Sequence, residues 1–302
     1  MPYLYPTSVR KTSVYLPENL KDELTGLARR WERSEAELLR LAVERLIQAA
    51  RADTAPGART RVRQPGPRLV GVGVGPSDPE LITERAVATV RDADRVFAAS
   101  TAPDAIGRAE AVVRTAAPEV QVDRLVLDIA GDPAARSASL AAAATTVVET
   151  LDTGSVVAFV TLGDPNVYST FPALGAIVAD LRPSVPITTV PGVMAFQELA
   201  AETGTVLAQD GEYLTLAVAG VDPTPLDGLL TDAHHTVVVY KGGRHLPAVA
   251  TSLRDRDRLE GAVMGEMIGL PGGRCVPVAT VADRPASYLA TVVIPAIRGS
   301  RR

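Results

Sequence analysis

The stretch Val156-Val-Ala-Phe-Val-Thr-Leu-Gly-Asp-Pro-Asn-Val-Tyr-Ser-Thr-Phe171 decides how this chain is to be read. Val156 to Thr161 is an apolar, β-branched run of strand length. Leu162 to Phe171 is a loop opened by Gly163, fixed by Pro165 and ending in a cluster of hydroxyls. In an open parallel sheet, ligands sit beyond the carboxyl ends of the strands, so this junction predicts a binding edge.

The same pattern of strand and turn recurs on both sides. Leu69 to Val74 is predicted as a strand, running into Gly75-Pro-Ser-Asp-Pro79 and a helix over Pro79 to Arg91. Pro186 to Val190 is a strand that ends in Pro191-Gly-Val-Met-Ala-Phe196. Arg95 to Ala98 and Gln121 to Leu127 are further strands, with helices over 105–115, 134–151, 172–181 and 194–203. This alternation predicts a mostly parallel sheet covered on both faces. After Gln209 the rhythm changes to strands over 213–218, 236–240, 263–267 and 289–295, a second sheet with fewer helices. A cleft between the two is the expected consequence. The run Gly71-x-Gly73-x-Gly75-Pro76 lacks the spacing of a dinucleotide fingerprint, and two prolines stand where a phosphate-facing helix would begin.

The 302 residues are 46% hydrophobic, enough for more than one core. No apolar run approaches the length of a membrane span or a signal peptide, so a cytoplasmic chain without membrane contact is expected. A single cysteine, Cys275, excludes an internal disulfide and a multi-cysteine metal site, and His234 and His235 lack metal-ligand spacing. No metal is expected.

Charge is uneven. Residues 1–63 carry 12 Lys and Arg against 8 Asp and Glu, and the rest carries 19 against 27. A basic head facing a polyanion would account for the asymmetry. In that head, residues 11–16 alternate as a strand, Pro17 opens a helix ending near Trp31, and Ser34 with Glu37 forms a capping-box signature for a second helix. Residues 51–67, with three prolines and two glycines, predict a linker. One strand and two helices cannot bury a self-sufficient core, so the head is expected to pair with a copy of itself as a homodimer. Residues 1–50 resemble the ribbon-helix-helix DNA-binding domains. The resemblance implies double-stranded DNA as a partner, with Lys11, Ser13 and Tyr15 facing the major groove and Ser34 at the helix start that holds a phosphate.

The segments Gly71–Pro79, Leu162–Phe171 and Val190–Phe196 together resemble the tetrapyrrole methyltransferases of the corrin and siroheme pathways. The resemblance spans residues 68–302. The wording of 161–171, of Tyr240-Lys-Gly-Gly-Arg-His-Leu246 and of Tyr288-Leu-Ala-Thr-Val-Val is similar to the precorrin-2 C(20)-methyltransferase branch of cobalamin biosynthesis. It implies an α/β, two-domain tetrapyrrole methylase fold, with a parallel-sheet subdomain over 68–208 and a mixed-sheet subdomain over 209–302.

It also implies S-adenosylmethionine as cofactor, held by Pro76, Leu162, Gly163, Asp164, Val167, Ser169, Thr170, Met194, Ala195, Lys241 and Ile268. The implied substrate is precorrin-2 or its cobalt analogue, with Ser77, Asp78, Arg244 and His245 as substrate-side residues and Tyr168 as the polar candidate at the reacting carbon. Ser77 stands where the family usually has glycine, and Met194-Ala195 where the branch typically has Thr-Ser. Methyl transfer from a sulfonium to an enamine-like ring carbon needs placement and water exclusion more than acid or base help. A regulator whose methylase-like body senses S-adenosylmethionine or a corrinoid precursor is the alternative reading.

Overall fold

The computed structural model describes residues 14–30, 33–43, 66–128, 132–219, 224–287 and 289–298. Two compact units are present, Met1–Pro65 and Gly66–Arg302.

In the first unit, α1 spans Glu18–Arg30 and residues 35–43 are helical (α2). Glu18 in the first turn and Arg29 and Arg30 in the last complement the dipole of α1. The Ser34 hydroxyl accepts from the Glu37 amide at 3.2 Å, as the capping signature requires. Glu35 pairs with Lys21 and accepts from Thr25 at 2.6 Å, which ties α2 to α1. Among the described residues of this unit only Leu38 is buried, while Leu20, Leu27, Leu41 and Val43 are exposed. Lys11, Ser13, Trp31, the first half of the expected strand and nearly all of the expected linker lie outside the described residues, while Val14, Tyr15 and Leu16 are described and form no strand.

The second unit opens with a five-stranded parallel sheet. Its strands are β1 (Arg68–Gly73), β2 (Arg95–Ser100), β3 (Val122–Val126), β4 (Val156–Thr161) and β5 (Ile187–Val190), in the order β3-β2-β4-β1-β5. Successive residues of β1 feed opposite cores. Val70 and Val72 pack with α3 (Glu84–Asp92) and α4 (Arg108–Ala116); Leu69 packs with α5 (Pro133–Asp152) and α6 (Phe171–Leu181). Burial on both faces explains why the central strands β1 and β4 read as continuous apolar runs. Gly71 has its own reason: a Cβ there would lie 2.5 Å from the Phe171 ring, so the strand leaves room for the first side chain of α6.

The helix expected over Pro79 to Arg91 is divided. Asp78 accepts from the Glu80 amide and starts a 3-10 turn over Pro79–Leu81. Thr83 then caps α3 by accepting from the Ala86 amide at 3.1 Å.

The second sheet is mixed. It contains β6 (Tyr213–Val218), β7 (His235–Tyr240), β8 (Val263–Glu266), β9 (Arg274–Pro277) and β10 (Thr291–Ile294), in the order β6-β7-β10-β8-β9, with β6 and β7 parallel and the other pairs antiparallel. Leu246, Val249 and Leu253 of α9 (Leu246–Arg254) and Leu226 of α8 (Thr224–Leu229) fill one face. On the other face lie Phe196 and Leu199 of α7 (Ala195–Thr203), against Val238 and Val293. Helix α7, grouped by sequence with the first sheet, therefore packs on the second. Strand β9 and helices α8 and α9 were not among the expected elements. Arg258, 4% exposed, donates to the carbonyls of His235 and Pro295 and joins the ends of β7 and β10. Among the described residues no helix is long and apolar enough to cross a membrane.

Candidate functional site

Parallel pairing places Gly73 opposite Thr161 and Val72 opposite Val190, so the loops leaving β1, β4 and β5 emerge side by side. Their closest approach is through main chain. The Gly163 amide donates to the Gly75 carbonyl at 2.9 Å. A Cβ on Gly73 would sit 2.4 Å from the Gly163 carbonyl oxygen, and one on Gly192 only 2.2 Å from it. Asp164 fastens the third loop, accepting from its neighbour Asn166 N at 2.8 Å and from Gly192 N at 3.2 Å.

A cavity opens on this seam, with about 800 Å³ of empty space, part of it open to solvent. Pro76, Leu162, Gly163, Asp164, Val167, Tyr168, Met194 and Ala195 line one wall. Tyr240, Lys241, Met267, Ile268, Leu289 and Thr291 line the other, and Arg108 lies at its margin from the start of α4. Strain gathers here: of the five non-glycine residues with positive φ among the described residues, Tyr168, Lys241 and Met267 line the cavity and Ser77 follows Pro76.

An aromatic group crosses the seam. Tyr168 and Tyr240 rings are 5.8 Å apart, and Phe196 stands edge-on to Tyr240 at 6.4 Å and 87°. The Tyr168 hydroxyl donates to the Leu216 carbonyl of β6 at 2.8 Å. Its proton is thus engaged in strapping the loop after β4 to the second sheet. The Tyr240 hydroxyl is buried without a hydrogen-bond partner. Burial pushes its pKa upward, and the nearby Phe196 amide offsets that only partly, without forming a hydrogen bond of proper geometry.

Several expected site residues do not line the cavity. Ser169 turns into its own loop, donating to the Pro165 carbonyl and accepting from the Phe171 amide, and Thr170 stands at the N-cap position of α6 without a side-chain capping bond. Ser77 is 5% exposed, with φ 147° and a hydroxyl lacking a partner. Asp78 caps the 3-10 turn and faces a separate cavity with Glu198, Glu202 and Cys275. In that second cavity burial, together with the charges of Asp78 and Glu202, pushes the Glu198 carboxyl up to about 7. Arg244 and His245 form the 3-10 turn before α9, away from the cavity lining. Exposed Tyr15, at 96%, and Ser34 belong to the first unit.

The sequence reading missed Arg108, Tyr240, Met267, Leu289 and Thr291. Tyr240 had a signal, an aromatic residue closing a strand directly before the singled-out Lys241. Among the described residues no group of three or more His, Cys, Asp or Glu is placed to hold a metal ion.

Residues 68–283 match the tetrapyrrole (corrin/porphyrin) methylases. The chain belongs to this family, whose two-domain α/β fold is the one described above. It is 29% identical over 237 residues to the precorrin-2 C(20)-methyltransferase of Sinorhizobium sp, covering 76% of this chain and 95% of that one. It is 26% identical to the cobalt-precorrin-2 C(20)-methyltransferase of Salmonella typhimurium, covering 75% and 95%. The uroporphyrin-III C-methyltransferase of Thermus thermophilus complexed with S-adenyl homocysteine shares the fold, with a TM-score of 0.53, 21% identity, and coverage of 75% of this chain and 96% of that one.

Two outcomes follow from this geometry. At φ 147° Ser77 sits in a region that glycine tolerates, where another residue costs about 1–3 kcal/mol. Ser77→Gly should therefore raise Tm by roughly 2–4 °C in a calorimetric scan, and an unchanged or lower Tm would contradict the strain. Tyr168→Phe keeps the ring and removes the strap. It should lower stability by about 0.5–1.5 kcal/mol and reduce kcat less than tenfold. A loss of roughly 10²-fold or more, the mark of a general acid or base, would assign Tyr168 a catalytic part.

Proposed function

We propose that this chain methylates a carbon of a reduced tetrapyrrole, precorrin-2 at C(20), using S-adenosylmethionine, within cobalamin biosynthesis. The observation carrying the reading is the convergence of three glycine-built turns on one cavity between two sheets. The residues present suit the donor. Pro76, Leu162, Met194 and Ile268 offer apolar surface, Asp164 offers a carboxylate for a hydroxyl or ammonium, and the Tyr240 hydroxyl is a buried polar group without a protein partner. The substrate assignment draws on the two relatives named for C(20) methylation of precorrin-2 or its cobalt form.

When bound, S-adenosylmethionine supplies a methyl group already activated by the sulfonium. The protein's share is placement and dryness. The glycine seam fixes the turns around the donor, while the Tyr168–Leu216 strap and the Tyr240–Phe196 stack hold the opposite wall at a set distance. Orientation of two reactants in this way supplies roughly 7–11 kcal/mol of a barrier. No side chain has to take a proton in the transfer itself.

The full chain incubated with S-adenosylmethionine and precorrin-2 should yield a product heavier by one methyl group, read by mass spectrometry. Cofactor binding without product, accompanied by a change in DNA affinity, would favour the sensing regulator.

The first unit we read as a ribbon-helix-helix head that dimerises and contacts double-stranded DNA. Its support is the net charge of +4 over residues 1–63 and the exposed Leu20, Leu27 and Val43, apolar positions that a second copy would cover. Promoter DNA should be retarded in a salt-dependent manner, and Lys11→Glu in the full chain should weaken that binding. Equal retardation by the variant would remove DNA from the reading.

A further inference from the structure

The geometry points to Arg108 as the residue that grips a carboxylate arm of the macrocycle, an assignment that rests on the methylation reading above. Arg108 is the first residue of α4 and lines the same cavity as Pro76, Tyr168 and Lys241. It is half-buried, yet makes no ion pair or hydrogen bond with any described residue.

That is unusual in this protein. The other half-buried arginines among the described residues are engaged: Arg124 with Glu110, Arg182 with Asp152, Arg274 with Glu266 and Arg298 with Glu212, for example. Arg85, Arg254 and Arg284 are exposed, and Arg284 still acts on Glu266 through its charge. A half-buried arginine that lines a cavity and has no partner among the described residues leaves its donors for an anion that arrives with the ligand.

The surroundings favour that use. The cavity's one carboxylate among the described lining residues, Asp164, already accepts two backbone amides and stabilises the glycine seam. The position of Arg108 is fixed by main chain: Gly107 caps α4, and a Cβ there would lie 2.7 Å from the Ala99 carbonyl, so the start of α4 is pressed against the end of β2. The stem is anchored and the guanidinium is left available. Its planar fork matches a carboxylate in two parallel hydrogen bonds. Arg108 takes the part that the sequence reading gave to Arg244 and His245, which the fold places away from the cavity lining.

The test uses the full chain and three readouts. Uroporphyrin III, an octacarboxylate macrocycle, serves as the binding probe by fluorescence titration; S-adenosylhomocysteine binding is followed by calorimetry; and precorrin-2 methylation supplies KM and kcat. Arg108→Ala should bind uroporphyrin III roughly 10- to 100-fold more weakly and raise KM in proportion. Its kcat, Tm and S-adenosylhomocysteine affinity should stay close to wild type. Arg108→Lys, which keeps the charge and loses the fork, should fall between. Wild-type affinity of Arg108→Ala for uroporphyrin III would overturn the assignment and leave the methylation reading intact. An equal loss of S-adenosylhomocysteine affinity would overturn it by placing Arg108 on the donor side. If the wild-type chain binds S-adenosylhomocysteine but neither tetrapyrrole, the substrate reading falls and the assignment with it.

Discussion

The structure of the body depends on one steric constraint: three backbones meeting where no side chain fits. Gly73, Gly163 and Gly192 approach so closely that a single methyl group on Gly73 or Gly192 would overlap a carbonyl oxygen. The approach requires β1, β4 and β5 to be parallel neighbours ending at the same level, which their register provides. It also requires the faces behind them to be filled, by Phe171 over Gly71 on one side and by α3 and α4 on the other. The cavity is the outer boundary of that contact, so a disturbance deep in the first sheet is transmitted to it through rigid main chain.

The opposite wall is held differently. Helix α7 leaves the turn containing Gly192 and packs its Phe196 and Leu199 on the second sheet, making the turn and the far wall parts of one packed assembly. Tyr168 closes the circuit from the other direction by donating to Leu216 on the edge strand β6. Positive φ values at Tyr168, Lys241 and Met267 mark where the chain bends to reach these contacts. The conformational cost gathers at the cavity, as expected where preorganisation matters more than local stability.

Much of this was legible in the sequence, for reasons that can be named. The central strands β1 and β4 are buried on both faces and stand out as apolar runs, and the glycines and prolines beyond three strands marked the loops that converge. Pro76, Leu162, Asp164, Met194 and Ile268 line one cavity, as the sequence placed them. Longer-range features were hidden. Strand β9 is an edge strand held to β8 partly by the Arg274–Glu266 pair, and Arg274 to Pro277 has no alternation to betray it. The break in the helix after Pro79 depends on the Asp78 and Thr83 side chains turning to cap local amides. Arg108 could not be singled out because a missing partner is a property of the folded surroundings. The Ser169 hydroxyl is turned from the cavity for a reason just as local: a hydroxyl beside a binding loop can satisfy the loop itself.

Main-chain contact also bears on how such a protein diverges. A seam made from carbonyls, amides, missing side chains and the one carboxylate of Asp164 asks little of residue identity beyond these few points. Neighbouring positions are free to vary without taking the cradle apart. Selection at such a seam acts on what is left out, so relatives can share the same architecture while agreeing at fewer than one position in three.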